Sequence, residues 1–396
     1  MNPVLDALGR RLRLGVVGGS RGFIGPVHRT AARLDDLYEL VAGSFSADPE
    51  RGRAAARAAG VAEERAYPDV RAMIAAERQR PDGVDVVAIM TPNDQHAPAA
   101  LAALDAGLDV ICDKPLTTTL ADALAVVRKV RETGLVFCLT HNYSAYPMVR
   151  QARAMVRAGE VGEVRQIHLT YVQGHNAGLV EADPAGRTWR FDPAACGPSL
   201  VLGDIGTHAH HLGAYVSGLE LEAVMAEVGA TVPGRTADDY GGLLLRWSGG
   251  ARGTMWVTNA AAGAEHGLAF RLFGATGGLE WHQERPNELR HRRLDGFERV
   301  LTRRLHGALH PEAERSVRVE IGHPEGYQEA FANLYRDAAE AIVARRAGRA
   351  CDSAALGLPT ALDGARGVRF VEAAVESAAT GRWADCRLDP AGHPPG

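Results

Sequence analysis

From residue 12 onward, short apolar runs alternate with longer stretches in which apolar positions recur at helical spacing. The runs predict strands at 12–17, 38–45, 84–90, 109–112 and 135–140, and the stretches between them predict helices at 23–34, 48–59, 70–77, 96–106 and 120–133. The first, third and fourth strands are nearly continuous apolar segments, as strands covered on both faces require. Such alternation builds βαβ units, so residues 1–140 are expected to form an α/β domain with a doubly wound parallel sheet of the nucleotide-binding kind.

After about residue 141 the rhythm changes. Candidate strands at 164–172, 221–230, 241–247, 253–259, 267–273 and 277–282 follow one another without intervening helices and alternate polar with apolar residues. That is the pattern of an antiparallel sheet in an α+β domain, here expected over 141–396. Helices at 325–345 and 359–379 are expected to close it, and the Arg-rich stretch 285–323 reads as an irregular solvated excursion.

Composition narrows the function classes. Hydrophobic residues make up 46% and charged residues 23% of the 396, enough to bury a substantial core. A net charge of −4 carries no basic excess for nucleic acid or an anionic membrane. The five cysteines are scattered and form no C-x-x-C pair, so neither a disulfide framework nor a zinc ribbon is expected. With no basic-then-apolar leader and no long uncharged apolar run, a cytoplasmic location is expected. Only Lys114 and Lys129 are lysines among 44 Lys and Arg residues. Where arginine supplies nearly every positive charge, a lysine marks a place that suits a compact ammonium of tunable pKa. Lys129, on a polar helix face, reads as a surface charge.

Three places carry candidate chemistry. Gly18, Gly22, Phe23, Ile24 and Gly25 follow the first strand and open a helix, where glycines let the backbone approach a pyrophosphate and the helix N-terminus faces its charge. The spacing is longer than G-x-G-x-x-G. Beyond the second strand, Ser46 occupies the position of a ribose-binding acid, Asp48 is close by, and Arg51 could meet a 2′-phosphate. Asp48-Pro49-Glu50 equally has the form of a helix N-cap, so both readings stay open and NAD is favoured over NADP. Lys114, just past the fourth strand, is placed to stabilise a developing alkoxide, with Pro115 fixing its turn. Asp204 and His208, if they open a helix, lie one turn apart and suit an imidazole base oriented by a carboxylate. Metal binding by His208, His210 and His211 is disfavoured because adjacent and i+2 positions do not share a helix face.

At these residues the chain resembles the Gfo/Idh/MocA family of NAD(P)-dependent sugar and polyol dehydrogenases. Asp113-Lys114-Pro115 is similar to the family's Glu/Asp-Lys-Pro signature, Gly203-Asp204-Ile205-Gly206-Thr207-His208 to its second signature, and Thr91-Pro92-Asn93-Asp94-Gln95-His96 to its nicotinamide loop. The resemblance implies a Rossmann domain followed by a domain with a large, open, mostly antiparallel sheet, through which a homodimer or homotetramer forms. It implies Lys114, Asp204 and His208 as catalytic residues. It further implies Thr91, Pro92, Asn93, His96, Asp113, Lys114, Pro115 and Asn142 as cofactor contacts. Motifs around Asn142, Arg190, Trp281 and Tyr327 resemble the levoglucosan dehydrogenase and glucoside 3-dehydrogenase-like subgroup. That points to oxidation of a ring hydroxyl of a pyranose, anhydrosugar or glycoside, at C3, with Tyr143, His175, Arg190 and Trp281 as further sugar contacts and no metal. Three other activities stay open: an inositol or polyol dehydrogenase, a redox-neutral enzyme that oxidises its sugar transiently, and a non-catalytic sugar or nucleotide sensor.

Overall fold

Continuous apolar runs become the middle strands of a parallel sheet because both faces of such strands are covered by helices. In the computed structural model, which describes residues 3–183, 188–303, 309–351 and 355–388, this sheet belongs to the first of two compact units. That unit comprises Met1–Thr117, Ala121–Thr140 and Phe331–Gly364. Its strands β1 (Leu12–Gly18), β2 (Tyr38–Ser44), β3 (Val86–Met90), β4 (Asp109–Cys112) and β5 (Phe137–Leu139) pair in parallel in the order β2-β1-β3-β4-β5. Every residue of β3 and of β4 is buried. The helices Val70–Glu77 and Leu120–Thr133 span the residues their periodicity predicts.

One expectation needs correction. Residues 141–396 do not form a single second domain, because Phe331–Gly364 returns to the first unit. In the helix Tyr327–Arg346, the Tyr335 hydroxyl lies 2.8 Å from His28 Nδ1, and its carbonyl accepts from the Tyr38 hydroxyl at 2.7 Å. Arg345 reaches the fully buried carboxylate of Asp109, which also accepts from Val136 N–H. Pairings across hundreds of residues leave no periodic trace in sequence. Lys129 pairs with Asp105 and Glu132 on the surface of its helix.

The second unit comprises Thr118–Leu120, His141–Ala330 and Ala365–Gly396. Its described residues carry nine strands: β6 (Val164–Gln173), β7 (Leu221–Gly229), β8 (Tyr240–Trp247), β9 (Arg252–Thr258), β10 (His266–Gly274), β11 (Gly277–His282), β12 (Glu288–Arg293), β13 (Glu298–Thr302) and β14 (Ala384–Asp385). They order as β13-β12-β11-β10-β6-β9-β8-β7-β14, antiparallel except for the parallel pair β6–β9. Two features depart from expectation. A helix, Pro147–Arg157, precedes β6. The charged stretch thought irregular contains β12 and β13, in which Leu289, His291 and Leu301 point inward while Arg290 and Glu298 pair on the other face. A strand with one charged face looks irregular to a hydrophobicity pattern tuned to apolar runs.

No described helix is long and apolar enough to cross a membrane. Of the five cysteines, Cys112, Cys138, Cys196 and Cys386 are buried.

Candidate active site

Gly18 ends β1 with φ +84°, and the turn beyond it leads into the helix Ile24–Leu34. A Cβ on Gly25 would stand 2.1 Å from the Gly19 carbonyl oxygen, so only glycine lets the loop and helix approach this closely. Arg29, one turn along the helix, donates to that same carbonyl at 3.1 Å and fixes the loop from behind. Phe23 is exposed and makes no side-chain cap at the N-terminus of the helix, the end whose dipole favours an anion. At the end of β3 the Thr91 hydroxyl is buried without a hydrogen-bond partner among the described residues. A close-packed glycine turn, an uncapped helix start and a spare buried hydroxyl at the carboxyl ends of β1 and β3 fit a dinucleotide.

Beyond β2, Asp48 takes up the capping role its sequence allows. It is the N-cap of the helix Pro49–Ala59: Arg51 N–H donates to Oδ1 at 3.1 Å, and the Arg51 guanidinium donates to Oδ2 at 2.7 Å. Both carboxylate oxygens are therefore engaged. Ser46 Oγ accepts from Asp48 N–H and keeps its own hydroxyl hydrogen to donate.

The Thr91 loop and the Lys114 turn are joined by one buried ring. His96 Nδ1 lies 2.7 Å from the Pro115 carbonyl and Nε2 lies 3.0 Å from the Thr91 carbonyl. Asn93, next to Pro92, starts a short 3-10 turn that leads directly into the helix of His96. Asp113 accepts from Lys114 N–H at 3.0 Å and from the Thr140 hydroxyl at 2.8 Å, which holds the turn carrying the ammonium. His96 thus acts on both loops through their backbones, and Asp113 acts through Lys114.

Burial lowers the pKa of His96 and of His28 below the ordinary 6.5, against the opposing pull of Asp113. The unfolded chain regains the ordinary value, so just below it the unfolded state binds more protons than the folded one, and stability falls as pH drops through that window. Calorimetric melting between about pH 7 and about pH 5.5 is expected to show the midpoint falling more steeply in the parent than in a His96→Asn variant. Equal slopes would mean that this imidazole does not govern acid stability.

In the second unit, the Asp204–His208 motif lies inside a helix rather than at its opening. The helix begins at Leu200, where Ser199 Oγ accepts from Leu202 N–H at 3.1 Å and Asp238 accepts from Val201 N–H at 2.8 Å. Leu202–Gly206 forms a π turn and Thr207–Ser217 continues as α-helix. The widened turn replaces the plain i,i+4 stacking expected of Asp204 and His208, as π turns often do at functional sites.

His208 is buried among rings: Tyr143 meets it edge-on at 4.8 Å, His141 at 5.5 Å, and Tyr171 lies 6.2 Å away. The hydroxyls of Tyr143 and Tyr171 are 2.6 Å apart. Burial raises the pKa of both phenols, and the Asp204 carboxylate adds to that rise. Arg190 Nε is 4.0 Å from Asp204 Oδ2, and these two side chains keep 42% and 28% exposure, so the carboxylate remains reachable. Burial lowers the pKa of half-buried His175, with Asp204 opposing and Arg190 adding to the fall. The unit therefore gathers an imidazole, a reachable carboxylate, a guanidinium and two phenols. His210 stacks on Phe370 at 4.9 Å, and His211 stacks on the far side of the surround, on His141, at 4.2 Å.

Two family descriptions match this chain: an oxidoreductase family with an NAD-binding Rossmann fold over residues 12–141, and a GFO/IDH/MocA C-terminal domain over residues 149–280. The chain is 34% identical over 379 residues to an uncharacterized oxidoreductase of Bacillus subtilis, covering 94% of this chain and 96% of that one. The chain belongs to the Gfo/Idh/MocA family. It is also 30% identical to the levoglucosan dehydrogenase of Pseudarthrobacter phenanthrenivorans over 71% of this chain and 76% of that one. Among solved structures, an inositol dehydrogenase homolog from Azotobacter vinelandii complexed with NAD+ is 38% identical, with a TM-score of 0.91 over 97% of this chain and 100% of that chain. As a Gfo/Idh/MocA oxidoreductase, the protein is an enzyme whose cofactor is NAD.

Two sequence expectations change within this family frame. Trp281 is fully buried, with Nε1 donating to the Pro286 carbonyl at 3.1 Å and its ring against Tyr146 and Phe270. It is a core side chain rather than a sugar contact. Tyr171 and His141, by contrast, form part of the surround of His208 without having been singled out. The inward parity of Tyr171 on β6 was the available signal. Asn142 is fully buried, and both polar atoms of its amide lack hydrogen-bond partners among the described residues. An unmet amide costs about 1–3 kcal/mol, which suits a residue kept for a ligand.

Proposed function

We propose that this oxidoreductase converts a secondary ring hydroxyl of a pyranose, anhydrosugar or glycoside to a ketone, at C3 in a glucoside. Bound NAD supplies the hydride acceptor. His208 takes the hydroxyl proton, Lys114 donates a hydrogen bond to the same oxygen as negative charge develops, and Asp204 orients the neighbouring hydroxyl. Arg190, His175 and Tyr143 hold the remainder of the ring. The observation that carries this reading is the grouping of His208 with Tyr143, His175, Arg190 and the reachable carboxylate of Asp204 in one unit. Such a set of hydrogen-bonding side chains suits a polyhydroxylated, uncharged ring.

A second reading, an inositol, is favoured by the similarity to the inositol dehydrogenase homolog along the whole chain. Both substrates are six-membered rings bearing secondary alcohols, and the same groups would serve either. A panel of hexoses, anhydrosugars, glycosides and inositols, followed by NADH absorbance with NAD and NADP in parallel, tests the reading. Reduction of NAD by at least one ring polyol is expected, and its absence across the panel would overturn it.

We also propose self-association through the outer face of the large sheet. The register sets Leu244, Trp256 and Phe273 on that face, all of them exposed. Large exposed apolar groups on one sheet face favour cover by a second copy.

A further inference from the structure

A cavity of about 410 Å³ opens in the second unit beside the short turn Trp189–Phe191. Phe191, Pro198, Leu200 and Val228 line it, together with Val375 on the helix Ala361–Thr380. This volume falls within the range of about 300–1,000 Å³ typical of pockets that enclose small organic ligands.

Its polar groups are few and mostly engaged. Asp238 lines the wall but accepts from Val201 N–H at 2.8 Å, so its carboxylate serves the helix N-terminus. Burial, foremost among the causes, pushes its pKa up, which further disfavours a free charge there. Arg190 is the exception. Its guanidinium lies over the Trp189 ring at 4.7 Å, with Nε 4.0 Å from Asp204 Oδ2, and the residue also lines the cavity. One side chain therefore borders both the sugar-binding carboxylate and an apolar chamber. The helix makes the same connection, running from Leu200 in the wall to Asp204 in the π turn.

We propose that this cavity is an aglycone subsite, and that the substrate class is a glycoside with an apolar or aromatic aglycone rather than a free sugar. The sugar ring meets Asp204 and Arg190, and the aglycone extends past the planar guanidinium into the chamber, where aromatic carbon meets Phe191 and the aliphatic wall. A free hexose or an inositol has no group to fill this space. The inference rests on the ring-hydroxyl reading proposed above, and the experiment separates the two.

Calorimetric titration of the NADH-loaded protein compares phenyl β-glucoside with methyl β-glucoside. Burying the phenyl group is expected to tighten binding roughly tenfold or more. Ala378→Phe, on the helix Ala361–Thr380, and Thr236→Trp add bulk at two positions that line the cavity, and each is expected to erase that advantage. Thermal melts identify any variant that fails to fold, and the remaining one then decides.

Equal binding of the two glucosides by the parent protein would overturn the subsite. So would a phenyl advantage that survives the folded plugging variants. If hexoses or inositols reduce NAD but neither glucoside binds, the subsite falls and the dehydrogenase reading stands. If no ring polyol reduces NAD, the reading itself falls and takes the subsite with it.

Discussion

Replacing His208 with Gln, or Lys114 with Met, lowers kcat on the ring-hydroxyl substrate by about a hundredfold to ten-thousandfold, the usual contribution of a positioned proton acceptor or charge-stabilising donor. The two losses have different signatures. His208→Gln removes the acid limb of the pH–rate profile, because the group whose deprotonation the reaction awaits is gone. Lys114→Met depresses the rate at every pH, and Lys114→Arg does not restore it, since a planar guanidinium cannot occupy the place of a compact ammonium. Steady-state NADH formation across the pH range reads both. Retention of parental turnover by both variants would remove these residues from the mechanism.

Gly25→Val weakens NAD binding by roughly five- to 150-fold, the affinity equivalent of the about 1–3 kcal/mol that overpacking costs. The cause is geometric: the new Cβ would stand 2.1 Å from the Gly19 carbonyl oxygen, which Arg29 holds in place, so either the loop opens or the helix shifts. Fluorescence titration with NAD measures the loss without requiring turnover. Gly22→Ala serves as the contrast. Its Cβ would meet nothing within 4 Å, and only the positive φ of 71° opposes it. Such a residue costs about 1–2 kcal/mol of backbone strain, so stability drops while the turn keeps its packing. Equal NAD affinity in Gly25→Val and the parent would show that the tight turn does not shape the cofactor site.

The parallel sheet was legible because its signal is local. β4 and the helices Val70–Glu77 and Leu120–Thr133 fall on the residues their periodicity marks, since burial on both sides of a strand and on one side of a helix writes itself into consecutive positions. The strands β12 and β13 were hidden by the same logic. Their outward positions carry Arg290, Arg292 and Glu298, which pair across strands, and the charges outweighed a thin inward set of Leu289, His291 and Leu301. Asp48 was ambiguous because cap and ribose ligand place the same residue type at the same point. Only the fold shows the bonds from Arg51 that make it a cap.

The order and chemistry of the motifs, with one lysine set after β4 and a carboxylate and an imidazole four positions apart, are determined by the sequence alone, because covalent spacing and residue type need no fold to be read. Tertiary structure decided what surrounds them. It put Trp281 in the core and closed Tyr143, Tyr171 and His141 around His208. It widened the helix at Asp204 into a π turn and returned Phe331–Gly364 to the first unit. Each of these depends on residues far apart in the chain meeting at van der Waals or hydrogen-bond distance. Pairwise proximity of that kind has no period along a sequence.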